Sequence, residues 1–264
     1  MKRIAMKRTT TNRTTVNRAF TLVEVLVTLA IIALLVALLI VVIPQVQRQS
    51  RSSVCLSNQR QLNMGYSLYY SDNAGRFMGV DTGFFAWDWV QGQSNLNGQG
   101  FETENALKLG RMFPYVGGGI ATYRSPFDPF TPFQRLRTYS LNAYISTGYG
   151  PNWSGPPTWQ VNTMGKIAQP SETILTSLEY DHRGYNINSF GISVNGDGIW
   201  IDKIAPWNPG HWNFSFADGS VSSYAHAGRQ DIVDYYMTLP VNGVYWPGPD
   251  YEWLRRHLAP SLFE

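Results

Sequence analysis

The stretch AFTLVEVLVTLAIIALLVALLIVVI, residues 19–43, decides the fold of this 264-residue chain. From Phe20 to Ile43 the run is almost wholly apolar, and Glu24 is its one ionisable residue. At about 1.5 Å per residue a helix of this length reaches roughly 36 Å, which exceeds the roughly 30 Å hydrocarbon core of a bilayer. The run therefore predicts a membrane-spanning helix. Because a carboxylate is costly to bury in lipid, Glu24 indicates a specific partner.

The residues before this run predict its orientation. Residues 1–19, MKRIAMKRTTTNRTTVNRA, contain six basic residues and no acidic one. Basic segments stay on the cytoplasmic side, so the rest of the chain is predicted to lie across the membrane. The leader also has the form of a signal-peptide n-region, but the apolar run is too long for an h-region. The residues at its end, Val42-Ile43-Pro44-Gln45, do not form a small-x-small cleavage site. We therefore expect the apolar segment to stay in the mature protein as an anchor.

Composition limits the remaining possibilities. The whole chain has 21 basic and 18 acidic residues, a net charge of +3. Without the leader 15 basic residues remain, and the net charge becomes −3. The net positive charge of the whole chain therefore comes from the leader, and it is no indication of nucleic-acid binding. Cys55 is the single cysteine, so an intrachain disulfide is excluded. We expect Cys55 to be a small packing residue rather than a reactive thiol.

The helix is predicted to continue well beyond the apolar run. Pro44 should bend it rather than end it. Farther on, apolar side chains recur at helical spacing, and the string Asp72-Asn73-Ala74-Gly75 provides a stop. The predicted buried stripe consists of Val46, Val54, Leu62, Tyr66 and Tyr69. The predicted organisation is a leader at 1–19, a transmembrane and assembly half-helix at 20–43, an amphipathic half-helix at 44–72 and a globular head at 73–264.

The head has the pattern of short strands separated by turns. Strand-like segments occupy 138–147, 172–180 and 214–225, and the last contains an Asp218-Gly219 hairpin signal. Short helices are expected at 104–113 and 229–238, and loops at 91–100 and 148–158. The predicted fold class is α+β, with one long N-terminal helix packed on an antiparallel sheet with long loops.

The junction Arg18-Ala19-Phe20-Thr21-Leu22-Val23-Glu24 resembles the prepilin signal of type IV pilins and type II secretion pseudopilins. In that family a peptidase cuts a basic leader before the phenylalanine of FTLxE, and the apolar helix is kept. Ala19 stands where glycine is usual. The resemblance implies cleavage between Ala19 and Phe20, N-methylation of Phe20, and pairing of the new Phe20 amine with Glu24 of a neighbouring subunit during assembly.

Later segments resemble a large pseudopilin-like family of Gram-negative bacteria that carries an H-x9-DG motif. In the distal helix the matching residues are Cys55, Asn58, Gln61, Leu62, Tyr69, Asn73 and Gly75. In the head, Tyr123–Pro129 is similar to a C-P-x-D-P turn, with Ser125 in place of cysteine, and residues 139–144 are similar to an S-Y-S-x-N strand. His211 precedes Asp218-Gly219 by six intervening residues rather than nine.

Two interpretations of His211, Asp218 and Gly219 stay open. They could form a structural turn with a supporting histidine, which Asp-Gly favours, or a catalytic or cation site. Asp181, His182, Asp197 and Asp202 could form another cation site. No cofactor is expected, with calcium as an alternative because loop carboxylates and carbonyl oxygens suit it. No zinc-like or EF-hand spacing and no enzyme motif occurs in the sequence.

Three classes of function remain. The first is a structural pilin-like subunit of a secretion pseudopilus, a type IV pilus or an uptake machine. The second is a filament-tip subunit that captures glycan or another polymer with the Trp-rich stretches at 84–90 and 207–214. The third is a membrane-anchored periplasmic enzyme. The resemblance implies as partners further pilin-like subunits, a prepilin peptidase, an inner-membrane assembly platform and membrane lipid, with the N-terminus cytoplasmic and the head periplasmic.

Overall fold

The structure is a computed structural model. It describes residues 20–82, 86–91, 103–117, 119–129, 136–146, 161–180, 189–228, 233, 235, 238–239 and 243–259. Three helices are named here: α1 at Leu22–Asp72, α2 at Glu104–Leu109 and α3 at Pro249–Leu258. Single turns of 3-10 helix lie at Phe113–Val116, Ile120–Tyr123 and Met164–Lys166. Helix α1 runs without interruption through Pro44 and ends where Ala74 and Gly75 adopt positive φ angles.

The strands are short, and most of them pair antiparallel. They are β1 Gly79–Thr82, β2 Asp88–Val90, β3 Tyr139–Leu141, β4 Ile174–Tyr180, β5 Ile199–Trp200, β6 Lys203–Ile204, β7 His211–Phe216, β8 Val221–Ala225 and β9 Val244–Tyr245. The central sheet has the order β3-β4-β7-β8, and β6 also pairs with β4. In the β7–β8 hairpin, Phe214 faces Ser222. Strands β5 and β9 form a separate antiparallel pair, whereas β1 and β2 pair in parallel.

The central sheet is covered on both faces, which explains why β4 and β7 are almost wholly buried. One core contains Leu62 and Tyr66 of α1 together with Leu178 of β4. The other contains Phe214 of β7 with Leu254 of α3. The α+β class with a long N-terminal helix and an antiparallel sheet is confirmed. The helix on the second face, α3, was not anticipated.

The chain divides into two compact units, the first ending at Gln47 and the second beginning at Arg48. The predicted boundaries at 19/20, 43/44 and 72/73 remain predictions. The central hairpin is confirmed with its turn at Asp218-Gly219. The helix expected at 104–113 is shorter, because Gly110 has extended dihedral angles that end α2. The helix expected at 229–238 and the loops expected at 91–100 and 148–158 lie largely outside the described residues.

The predicted buried stripe of α1 is only partly correct. Leu62, Tyr66 and Tyr69 are buried, but Val46 and Val54 are 58% and 47% exposed. The face that packs on the head begins one residue later and includes amides: Cys55, Gln59, Leu62, Asn63, Gly65, Tyr66 and Tyr69. Successive helical residues differ by about 100°, so Val54 points away from the face that Cys55 occupies.

This corrected face gives a matched stability test within one helix. We expect Leu62→Ala to lower the free energy of unfolding by about 2–5 kcal/mol, because Leu62 is fully buried. Leu68→Ala makes the same chemical change at a position that is 53% exposed, and should cost about 0.5 kcal/mol or less. Thermal unfolding of the two full-length variants in detergent measures the difference. Equal destabilisation would contradict the packing of α1 on the sheet.

Candidate functional site: the N-terminal helix and its seat on the head

The first half of α1 is both apolar and exposed. Every residue from Phe20 to Arg51 is solvent-accessible in the isolated chain, and Phe20 itself is 82% exposed. The segment is long and apolar enough to cross a membrane by length and composition. So much exposed apolar surface is unfavourable in water, and this segment therefore requires lipid or other protein around it.

Glu24 closes a capping box at the start of α1. The Thr21 amide and the Thr21 hydroxyl both donate to Glu24 Oε2, at 2.8 and 2.9 Å, and the Glu24 amide donates to Thr21 Oγ1 at 3.2 Å. This reciprocal arrangement satisfies amides that the first helical turn would leave without partners. The string Thr-Leu-Val-Glu is the sequence signature of this cap, which the sequence analysis did not use. The cap engages Oε2 and leaves Oε1 outside these bonds.

Beyond the apolar run, polar side chains of α1 hold the backbone of the head. The Gln59 side-chain amide donates to the Asn213 carbonyl at 2.8 Å, and the Asn63 amide donates to the Phe216 carbonyl. Both carbonyls belong to β7. Asn58 donates to the Arg124 carbonyl at 3.0 Å. Since buried amides are costly unless paired, these bonds fix the register of the helix on the sheet.

Arg48 also joins α1 to the head, at a point nearer the N-terminus than Asn58 and Gln59. Its guanidinium donates to Asn208 Oδ1 at 3.0 Å and to the Pro209 carbonyl, and its Nη2 lies 3.2 Å from His211 Nδ1. The loop before β7 is thereby tied to α1 just after the apolar run. His211 therefore contributes to the contact between this loop and Arg48 of α1. The structure places it at the beginning of β7.

Asp218 and Gly219 lie at the opposite end of β7 from His211. Asp218 Oδ1 accepts the Ser220 amide at 2.9 Å and the Ser220 hydroxyl at 2.6 Å, while Gly219 has a φ of +94° that the turn requires. Seven residue steps along an extended strand span roughly 23 Å, too far for His211 and Asp218 to share one ion or proton. The structure thus favours the turn interpretation over a joint catalytic or cation site.

Other carboxylates are also held by local partners. Asp197 accepts the Ser193 hydroxyl at 2.7 Å and the Ile199 amide at 3.0 Å, and Asp202 accepts the Gly191 amide at 2.8 Å. Asp81 is buried, and burial together with the nearby Asp88 raises its pKa to about 7. Among the described residues, no three His, Cys, Asp or Glu side chains are grouped so as to hold a metal ion. Asp181 and His182 lie outside the described residues.

Cys55 sits in the buried contact between α1 and the turn at Ser125. The Ser125 hydroxyl is 3.8 Å from Cys55 Sγ, and the Tyr139 hydroxyl is 3.3 Å from the same sulfur. Burial raises the pKa of the Cys55 thiol, which keeps it protonated. These contacts are consistent with a packing residue. Ser125 is thus the residue of this turn that faces Cys55.

The sequence of the N-terminal region matches a known pattern. Residues 15–40 match the family model described as the prokaryotic N-terminal methylation motif. No curated protein and no solved structure matched the chain. The match contains Phe20, Thr21 and Glu24 and the first turns of the exposed apolar helix. The chain therefore carries a type IV pilin or pseudopilin-like prepilin signal at the start of a helix that packs, farther along, on an α+β head.

Proposed function

We propose that the chain is a structural subunit that a prepilin peptidase cleaves between Ala19 and Phe20 and that assembles through α1 into a type II secretion pseudopilus or a type IV pilus-like filament. The observation that carries the proposal is the methylation motif at residues 15–40, which extends into a helix whose apolar half is exposed. Copies of such a helix can cover one another's apolar surface after they leave the membrane.

The geometry at the helix start supports a role for Glu24 in assembly. Its carboxylate is held in one place by Thr21, through Oε2. Oε1 is available to the Phe20 amine of a neighbouring subunit. An ammonium and a carboxylate in an apolar filament interior would depend on each other, and this pairing would set the axial register between subunits.

The proposed location follows from the same features. The basic leader favours a cytoplasmic N-terminus, and the helix would hold the head on the periplasmic side of the inner membrane until assembly. The proposed partners are related pilin-like subunits, the prepilin peptidase, an inner-membrane assembly platform and lipid. Arg48, Gln59 and Asn63 attach the part of α1 from Arg48 onward to the head.

A filament-tip subunit that binds glycan is the second candidate, and the Trp-rich stretches give it limited support. Trp89 and Trp212 are buried, whereas Trp87 is 41% exposed. The two buried rings therefore serve the core and are not available as open stacking platforms for a sugar. Phe84 and Phe85 lie outside the described residues. An anchored enzyme is the third candidate, and it has the least support because Asp197, Asp202 and Asp218 are engaged in local hydrogen bonds.

The processing step tests the proposal directly. We expect the mature chain to begin at an N-methylated Phe20, because the basic leader and FTLVE form the cleavage signal. Mass analysis of the N-terminal peptide from membranes that contain a prepilin peptidase measures this. Ala19→Gly should be processed at least as well, whereas the bulky Ala19→Leu should accumulate as precursor. A mature chain that starts at Met1, or beyond Ile43, would contradict the proposal.

A further inference from the structure

A small aromatic cavity lies at the side of the head where β9 leads into α3. Its volume is about 110 Å³, and its walls include Trp200, Trp212, Trp246 and Tyr251. Trp200, Trp212 and Tyr251 are each at most 5% exposed, whereas Pro247 and Pro249 at its edge are exposed. At roughly 30 Å³ per water molecule, the cavity has room for a group of about four heavy atoms.

The rings of this cavity are set at steep angles to one another. The planes of Trp200 and Trp212 meet at 68° with centroids 6.1 Å apart, and those of Trp200 and Tyr251 meet at 51°. Trp246 completes the group, 6.0 Å from Trp200. Non-parallel rings around a common space surround a ligand with several aromatic walls, whereas a flat sugar requires one open face.

The walls are held from behind by a stack of further rings. His226 and Tyr224 stack on Trp212, Trp253 stacks on Tyr224 at 4.0 Å, and His257 stacks on Trp253 at 4.0 Å. The Trp200 indole N–H donates to the Trp246 carbonyl at 2.7 Å, and the Tyr251 hydroxyl donates to the Ser193 carbonyl at 2.7 Å. These polar groups are therefore already engaged within the protein. The Trp212 indole N–H, in contrast, is buried without a hydrogen-bond partner among the described residues. The walls otherwise offer a ligand their π surface.

The cavity also contains a carboxylate whose hydrogen-bonding capacity is largely occupied. Asp250 Oδ1 accepts the Tyr224 hydroxyl at 3.0 Å and the Ala227 amide at 2.8 Å, and Oδ2 accepts the Gly228 amide at 3.0 Å. A carboxylate has about four acceptor positions, so about one remains for a ligand. None of these three donors is a cation. The site thus favours a ligand that is attracted by its positive charge and does not depend on donating hydrogen bonds.

We propose that this cavity binds a quaternary ammonium group, with Trp200, Trp212, Trp246 and Tyr251 as its aromatic walls and Asp250 as its counter-charge. A quaternary ammonium has no N–H to donate, is of the size that the cavity admits, and is attracted both by ring faces and by a carboxylate. A primary ammonium would forfeit most of its hydrogen bonds there. A sugar would find the acceptor positions of Asp250 mostly taken. The proposal is independent of the assembly function.

The test compares three small probes that share one skeleton. Choline, its neutral carbon isostere dimethylbutanol and ethanolamine are titrated by calorimetry against the full chain in a nonionic detergent that has no choline group. We expect choline to bind at least roughly tenfold more tightly than either other probe, the size of one or two cation–π contacts. Equal binding of choline and dimethylbutanol would overturn the proposal, as would binding of methyl glucoside without binding of choline.

Variants of one wall make the result specific to the cavity. Trp246→Leu should weaken choline binding by roughly tenfold, whereas Trp246→Phe should retain most of it because a ring remains. The backbone carbonyl that Trp200 uses is present in both variants. Tyr245→Leu is the matched control, since Tyr245 is 71% exposed and is not among the walls. Unchanged affinity in a folded Trp246→Leu protein, or equal losses in Trp246→Leu and Tyr245→Leu, would refute the assignment.

The same titration distinguishes the two sources of this chemistry. Free choline and short-chain phosphatidylcholine present the same cationic group, one as a solute and one as a lipid headgroup. Tighter binding of the lipid would identify a membrane headgroup as the ligand, and equal binding would identify a soluble quaternary amine. Failure of both probes to bind would overturn the quaternary-ammonium assignment and leave the assembly function unaffected.

Discussion

A chain with Glu24→Val is expected to enter the membrane as well as the parent and to fail in assembly. The substitution removes the only ionisable side chain of the apolar run, so insertion should not suffer. The Phe20 amine of a neighbour would then lose its counter-charge inside the filament, and we expect cross-linked subunits to fall by roughly tenfold or more. The measurement is subunit cross-linking in sheared filaments, normalised to the amount of membrane-inserted protein.

The capping box makes it possible to separate two roles of Glu24. Glu24→Gln keeps an acceptor for Thr21 but loses the charge, so it should fail in assembly like Glu24→Val. Thr21→Val removes the hydroxyl from the cap but keeps the Glu24 carboxylate, and should still assemble. If Thr21→Val fails as severely as Glu24→Gln, the cap and not the charge pair explains the role of Glu24. Undiminished cross-linking in Glu24→Val would contradict the assembly proposal itself.

The second large effect is expected from placing a cysteine opposite Cys55. Ser125→Cys should form a disulfide under oxidising conditions, because the Ser125 hydroxyl already lies 3.8 Å from Cys55 Sγ. The two positions are 70 residues apart, and closing a loop of that length stabilises the folded state by about 4 kcal/mol in the chain-entropy account. Part of this gain is offset because Ser125 Oγ also accepts the Phe127 amide at 3.2 Å.

Thermal unfolding of full-length Ser125→Cys, with and without reductant, measures this effect. We expect the oxidised protein to unfold on the order of 10 °C higher than the parent, and to return to the parent value or slightly below it when reduced. The double variant Cys55→Ala with Ser125→Cys keeps one thiol and should show no dependence on reductant. A free-thiol assay that finds two reactive cysteines after oxidation would contradict the placement of Ser125 against α1.

Much of the architecture could be predicted because it depends on local patterns. The apolar run, the stop at Asp72–Gly75, the segment at 172–180 and the Asp-Gly hairpin each contain their own signal within a few residues. The prediction of the buried stripe was wrong at Val46 and Val54 because hydrophobicity alone does not say where the head begins to cover the helix. It also passed over Gln59 and Asn63, whose side-chain N–H groups find carbonyl acceptors only in β7, which is distant in the sequence.

The sequence by itself determined that this chain has a basic leader, a cleavage-like junction and an apolar helix with one carboxylate, because each is a property of neighbouring residues. Only the tertiary structure decided the partners of distant residues. It separated His211 from Asp218 along β7, brought Ser125 to Cys55, and gathered Trp200, Trp212 and Trp246 around Asp250. Such contacts join positions far apart in the chain, and they follow from strand order and packing, which no short segment specifies.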